Sequence, residues 1–399
     1  MFDLSSYNTF NLAVSAREGL VVYEVADLEN LPLPLEEPYI ILGGGSDVLF
    51  TEDFVGTVLI NRIMGVSITK LPRRADSAVA FASAAASSAA SAAVAVTAEA
   101  SVAAAANDAA ATAADTAPPS LSSSIAVAEI YDSDSAFEYV VRVGGGVVLD
   151  DLIAQLLKED ICGLENLSLI PGTVGAAPIQ NIGAYGVEIG DFIESIEAFD
   201  LRTGETKVFT AAQCHFGYRY SIFKEPEYRS LFITHVTLRL SKTFVPHQNY
   251  AGLQSMEFKD AFAMRERVIA LRNEKLPNPK YVGNAGSFFK NPYVNADVVA
   301  ALQAQFGSNV PCYPCEDGRF KLAAGWLIDK ANCRGLKHGQ VGTWGKQALV
   351  IVNLGNAKPH EVLALARYIS AEVKSKFGID LVPEVRLYGK HGEIAWDQI

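Results

Sequence analysis

Short apolar runs broken by turn residues dominate the first 70 positions. Tyr39-Ile40-Ile41-Leu42 is one such run, stopped by Gly43-Gly44-Gly45-Ser46-Asp47, and Thr57-Val58-Leu59-Ile60-Asn61 is another. Runs of that length bounded by glycine predict strands of a small α+β unit. The pattern then stops. Residues 75–117 are almost wholly Ala, Ser, Val and Thr, with no charge between Asp76 and Glu99. The large apolar residues that a spanning helix needs are nearly absent, so no membrane crossing is predicted. Ala favours helix, Ser weakens it, and Pro118-Pro119 end it. Residues 71–128 therefore read as a low-complexity insertion, disordered or loosely helical. Lengthening a surface loop costs only about 0.6 kcal/mol per doubling, so the insertion need not harm the fold.

Regular patterning resumes after it. Residues 139–143 predict a strand, Gly144-Gly145-Gly146 a turn and residues 149–157 a helix. A dinucleotide fingerprint would need a third glycine where Leu149 stands and an acidic residue ending a second strand, so this is not a Rossmann unit. Strands are predicted at Ile193–Asp200, residues 207–210 and Leu231–Leu240. Residues 268–275 read as the end of a helix stopped by Leu276-Pro277-Asn278-Pro279. The C-terminal part carries predicted helices at 323–331 and 360–376 and a strand at 348–353.

Composition narrows the class. The chain has 399 residues, half of them hydrophobic and 20% charged, which suits a globular protein of two or three domains. A net charge of -12 argues against broad binding to nucleic acid or anionic membranes, though a local basic pocket can still hold an anion. The N-terminus shows no positive region followed by an apolar run, so no secretory signal is read. Five cysteines (162, 214, 312, 315 and 333) suit reduced thiols better than a disulfide framework. Cys312-Tyr313-Pro314-Cys315 is a lone CxxC with no second pair, so no metal is expected.

Two stretches carry candidate chemistry. Residues 169–178, Leu-Ile-Pro-Gly-Thr-Val-Gly-Ala-Ala-Pro, run on into Ile179-Gln180-Asn181-Ile182-Gly183-Ala184-Tyr185-Gly186. Small residues there expose backbone N–H groups, and consecutive free N–H groups make an anion-binding concavity. Gly283-Asn284-Ala285-Gly286-Ser287-Phe288-Phe289-Lys290-Asn291-Pro292 surrounds one hydroxyl with small residues, so Ser287 reads as a hydroxyl presented by a tight loop.

Taken in order, the GGGS loop, the PGTVGAAPIQNIGAYG stretch, GYRYSIFK, NAGSFFKNP and the terminal PEVR closely resemble the UDP-N-acetylenolpyruvoylglucosamine reductase family, flavoenzymes of peptidoglycan precursor synthesis. The resemblance covers nearly the whole chain except residues 71–137. It implies an α+β protein: a two-subdomain FAD-binding fold of the vanillyl-alcohol oxidase-like type plus a C-terminal α+β substrate-binding domain. The implied boundaries are 1–70 for the first subdomain, completed by about 378–399, then 129–276 for the second and 277–377 for the substrate domain.

The implied cofactors are FAD and NADPH, and the implied substrate is an enolpyruvyl ether on a UDP-sugar. Reduced flavin would deliver hydride to the vinyl CH₂ carbon. By residue-by-residue matching, Ser287 would be the proton donor, and Arg219 and Glu384 would stabilise the enol(ate). Arg219 suits two-point binding of a carboxylate. Glu384 would help most if protonated. Tyr250, Lys275, Asn291 and Gln347 would contact the UDP-sugar. Tyr250 lies in Asn249-Tyr250-Ala251-Gly252-Leu253, which resembles the tyrosine loop of the family's longer form. The flavin would lie along Gly43, Gly44, Gly45, Ser46 and Asp47 and along Pro171, Gly172, Thr173, Val174 and Gly175. Asp47 stands where the family usually has Asn. A carboxylate is unfavourable beside a pyrophosphate unless it is turned away or caps a turn. Arg386, two residues on from Glu384, would face the same side of a strand.

The chain is thus expected to be a cytoplasmic monomer that binds neither nucleic acid nor membrane. Two other readings predict different behaviour. A flavin-dependent oxidase of the wider FAD-binding family would need a His or Cys beside the flavin, and neither glycine loop contains one. A non-catalytic scaffold using the Ala-rich stretch to dock would have no use for Ser287, Arg219 and Glu384 together.

Overall fold

A computed structural model of the chain describes residues 1–71, 138–250 and 252–398. Beyond Leu71, the low-complexity stretch lies outside the described residues. The chain divides into two units, residues 1–69 with 139–399 and residues 70–138. In the second, the Leu71 N–H donates to the Glu138 carbonyl at 2.8 Å.

Phe54–Asn61 is the centre of the N-terminal sheet. Ser15–Val22 and Tyr39–Leu42 pair parallel to it on either side, and Phe2–Asp3 adds an antiparallel edge. Val58, Leu59 and Ile60 are fully buried, as expected of a parallel strand covered on both faces. Tyr39–Leu42 delivers the chain directly into the first glycine loop.

The second sheet has the order Thr206–Thr210, Ile193–Asp200, Leu231–Leu240, Tyr139–Gly144, Val66–Lys70. Its central strand, Leu231–Leu240, alternates buried and partly exposed residues along its second half, the signature of a sheet with one wet face. Helix Leu149–Lys158 buries Leu149, Leu152, Ile153, Leu156 and Leu157, an i, i+3, i+4, i+7, i+8 stripe. Phe199 and Phe232 of this sheet, with Leu201 just past its strand, share a core with Val22 and Leu59 of the first sheet and with Leu28 of the helix Val25–Glu29.

The C-terminal region is built on Gly283–Ser287, Gln347–Asn353, Val341–Trp344 and Lys337–His338, all antiparallel. Helix Pro359–Phe377 packs on Val341–Trp344 and Gln347–Asn353, and helix Ala324–Lys330 on Gln347–Asn353. A small sheet of Tyr293–Val294, Phe320–Leu322 and Cys312–Pro314 stands beside them. The chain then returns to its beginning. Arg386–Gly389 pairs parallel with Val48–Phe50, which directly follows the first glycine loop.

Two expectations change. Residues 283–287 are a strand, not a tight loop. The strand is irregular, because its register with Gln347–Asn353 shifts between Asn284 and Ser287, and Gly286 takes φ +70° at the shift. A bulge of that kind re-aims one side chain without ending the strand. Residues 169–186 also differ from a run of free N–H groups. The amides of Val174, Gly175, Ala176 and Ala177 donate to Val147, Gly145 and Thr173 carbonyls. The CxxC segment runs extended through Cys312–Pro314. Three residues of extended chain span about 10 Å, beyond the reach of a disulfide. All five cysteines are free thiols.

Candidate active site

The two glycine loops face one another. An added Cβ on Gly43 would stand 2.3 Å from Thr173 Oγ1, and one on Gly44 would stand 3.1 Å from the Gly172 Cα. Gly45 takes φ +61°, and its added Cβ would meet the Tyr7 carbonyl oxygen at 1.9 Å, so no other residue is tolerated there. Ser46 Oγ donates to the Pro171 carbonyl at 2.9 Å and pins the loops together. The second loop is braced from behind. Val174 N–H donates to the Val147 carbonyl, and Leu149 N–H to the Gly172 carbonyl. Among the described residues, the amides of Gly172 and Thr173 have no protein acceptor, and Thr173 Oγ1 is buried without a partner.

These loops wall a cavity of about 1120 Å³. That exceeds the roughly 300–1,000 Å³ of an ordinary small-ligand pocket. Gly43, Gly44, Gly45, Ser46, Asp47, Pro171, Gly172, Thr173 and Gly175 all line it. The Val174 side chain instead points into the core, 2% exposed. Bare backbone, two free amides and an unpartnered hydroxyl fit a pyrophosphate held between the loops, so the residues present fit FAD. Gly44→Val is expected to purify with a depleted flavin content. Overpacking costs about 1–3 kcal/mol, or about 5- to 150-fold in affinity, and the absorbance ratio of flavin to protein measures it.

Arg219, Glu384 and Ser287 converge on the same cavity from three separate stretches. Arg219 sits in a tight turn in which the Gly217 and Tyr220 N–H groups each donate to the other's carbonyl at 3.1 Å. Its φ is +54°, a strained conformation for arginine. Ser221 Oγ to the Ile179 carbonyl at 2.7 Å and Asn181 Nδ2 to the Gly217 carbonyl at 3.2 Å fix that turn on the second loop. Arg219 Nε donates to Glu384 Oε1 at 2.5 Å, and its Nη2 to the Gly183 carbonyl at 3.1 Å. Burial alone would lower the Arg219 pKa, but Glu384 and Tyr218 outweigh it and keep the guanidinium charged.

Glu384 lies beside the serine strand. Its N–H donates to the Phe288 carbonyl at 2.8 Å, and Phe289 bridges Pro383. That register sets Ser287 within one residue of Glu384 on the neighbouring backbone. Among the described residues the Ser287 hydroxyl has no protein partner, so its proton is free for a ligand.

Behind this group stands a second layer of charge. Arg386 is held by Glu393 through two bonds, 3.0 and 2.7 Å, and its N–H donates to the Asp47 carbonyl at 3.0 Å. Lys224 Nζ reaches the Arg219 carbonyl at 3.5 Å. Burial, and then Lys290, lower the Lys224 pKa to about 8. Burial, and then the Glu384 carboxylate, push Asp47 well above the ordinary carboxylate range, against the pull of Lys224, Arg386 and Arg219. The folded chain therefore holds that proton more tightly than the unfolded chain does. The stability it contributes is present at low pH and lost as pH rises through the raised value. Asp47→Asn is expected to raise Tm near pH 8 and to leave it unchanged near pH 4.

Four residues matched to a substrate role stand outside the cavity wall. Tyr250 is 46% exposed, with its ring 5.2 Å from Tyr185. Lys275 is exposed at the end of helix Ala261–Lys275. Asn291 Oδ1 accepts the Ala324 N–H at 2.9 Å, where helix Ala324–Lys330 begins. The Gln347 side-chain carbonyl lies close to Gly325 in that helix. Reading the sequence missed Lys224, Arg272 and Tyr185. Arg272 lines the cavity with a buried, unpartnered Nε, three residues before the lysine at the same helix end. Among the described residues no helix is long and apolar enough to cross a membrane, and no cluster of His, Cys, Asp or Glu could hold a metal.

Relatives of this chain cover nearly its whole length. The family described as FAD binding domain matches residues 79–210, and the family described as UDP-N-acetylenolpyruvoylglucosamine reductase, C-terminal domain, matches residues 278–388. A protein of Bacteroides fragilis (strain YCH46) named UDP-N-acetylenolpyruvoylglucosamine reductase is 37% identical over 390 residues, covering 96% of this chain and 98% of its own. One of the same name from Shewanella sp. (strain MR-4) is 37% identical over 401 residues, covering 99% and 98%. The fold is similar to the crystal structure of the Thermus caldophilus UDP-N-acetylenolpyruvylglucosamine reductase, with a TM-score of 0.55 at 21% identity over 96% of each chain.

Proposed function

The chain belongs to the UDP-N-acetylenolpyruvoylglucosamine reductase family, and from that premise we propose that it reduces the enolpyruvyl ether of UDP-N-acetylglucosamine to UDP-N-acetylmuramate, with FAD as cofactor and NADPH as electron donor. The observation that carries this reading is the meeting of Arg219, Glu384 and Ser287 in one cavity walled by the two glycine loops.

FAD, when bound, supplies the hydride chemistry that no side chain can perform. The chain's own residues do the rest. Hydride addition to the vinyl CH₂ carbon leaves an electron pair on the neighbouring carbon, conjugated with the carboxylate. Arg219 is a fixed cation at that developing charge, and its geometry is set before the reaction by Glu384 and the Gly183 carbonyl. Ser287 Oγ gives its proton to the carbon, which completes CH–CH₃ from C=CH₂, and recovers a proton from solvent. A hydroxyl is a weak acid, but an enolate is basic enough to take its proton. Tyr250, Lys275, Asn291 and Gln347 hold the UDP-sugar. The enzyme works as a cytoplasmic monomer.

Anaerobic titration of the purified protein tests the reading. NADPH should bleach the yellow flavin, and the enolpyruvyl sugar should restore the colour. A flavin that NADPH leaves oxidised, or that the sugar leaves bleached, would sink it. Rapid oxygen consumption with an alcohol substrate would point to an oxidase instead.

A further inference from the structure

The stretch that carries Tyr250 is fastened to the protein at two points. The inner fastening is Asn166, which sits in the turn Glu165–Leu167 and is 1% exposed. Its Nδ2 donates to two carbonyls, Tyr185 at 2.9 Å and His247 at 2.8 Å. One amide nitrogen thus joins the end of the second glycine-rich stretch to the base of the tyrosine loop. The turn is itself locked, since Ser168 Oγ donates to the Glu165 carbonyl at 2.6 Å and Glu165 Oε2 accepts the Gly163 N–H at 2.7 Å.

The outer fastening is weaker and exposed. Arg267 reaches the Gly252 carbonyl at 3.3 and 3.4 Å. Leu253 then enters a small core with Met264, Val268 and Leu271, against which Tyr185 and Phe244 also pack. Tyr250 stands between these anchors, with its ring edge-on to Tyr185 at 72°. Tyr185 is held at φ +51°, and its carbonyl accepts from Asn166.

We propose that Asn166 is a positioning residue for the UDP-sugar half of the site, fixing Tyr185 and Tyr250 as one aromatic corner through its paired bonds to Tyr185 and His247. The proposal rests on the reading of Tyr250 as a substrate contact. Asn166 touches neither substrate nor cofactor and acts only on where the rings stand. Without it, binding would have to order the loop, which weakens substrate affinity. Arg219, Glu384 and Ser287 lie on other segments, so the chemical step should be spared.

Asn166→Ala in the full, FAD-loaded chain tests this. The KM for the enolpyruvyl UDP-sugar should rise about tenfold. The kcat should stay within about threefold, flavin content should be unchanged, and amide exchange at 247–250 should quicken. In a Tyr250→Ala background the same substitution should add little, because the two act through one ring. Unchanged KM and exchange, a fall in kcat at constant KM, or additive losses in the double variant would each overturn the proposal. If Asn166→Ala fails to fold, Arg267→Ala releases the outer fastening from the surface and should raise KM in the same sense. An unchanged KM there also overturns it. A normal KM for Tyr250→Ala removes the substrate reading and this proposal with it, even where faster exchange upholds the clamp.

Discussion

Replacing Ser287 with alanine is expected to leave flavin reduction by NADPH intact while slowing reoxidation by the enolpyruvyl sugar by about 10²–10⁴-fold, the usual weight of a positioned general acid. The asymmetry follows from where the hydroxyl stands. Ser287 lies on a strand that pairs with Gln347–Asn353, and its hydroxyl has no structural partner among the described residues. Deleting one oxygen removes a donor to ligand and nothing that holds the fold, so Tm should barely move. Stopped-flow absorbance of the two half-reactions separates them. Equal slowing of both would mean that Ser287 serves binding of either ligand and not proton transfer.

Arg219→Met should be costly in two independent ways. Catalysis should fall by about 10²–10³-fold, the scale seen when one preorganised donor to a developing charge is removed. Stability should also fall, by roughly 3–5 kcal/mol, because Glu384 would be left largely buried without its partner, its side chain only 12% exposed. The double variant Arg219→Met, Glu384→Met separates the two effects. Replacing both members of a buried pair by apolar groups of similar size is often neutral for stability. Tm should therefore recover in the double variant while turnover stays low. Recovery of turnover with Tm would mean that the pair is structural only.

Much of the fold could be read from local pattern. Tyr39–Leu42, Ile193–Asp200 and Leu231–Leu240 fall where continuous or alternating apolar positions put them. Glycine punctuation located both loops that wall the cavity. What local pattern did not carry was partnership. Arg219 and Glu384 are 165 residues apart in sequence, and nothing near either one announces the other. Likeness to a known family, not local pattern, pairs them ahead of the geometry. Ser287 looked like a loop residue because two glycines flank its segment, but one of them serves a bulge inside a strand. Val174 looked like part of a phosphate nest, but its amide is spent on Val147 and its side chain on the core. Asn166 gave no signal, since a buried asparagine between Glu165 and Leu167 is defined only by the two carbonyls it meets.

The return of Arg386–Gly389 to Val48–Phe50 also has a consequence for how the enzyme comes into being. The ribosome delivers the first glycine loop and Val48–Phe50 long before their partner strand. Until then Val48–Phe50 offers an unpaired backbone edge, and Glu384, which sits just ahead of the closing strand, has no place to stand. A nascent chain can assemble its sheets one by one as they emerge. The carboxylate that faces Arg219 arrives only when that strand docks, so the proposed centre stays incomplete until a late-made segment closes on an early-made one.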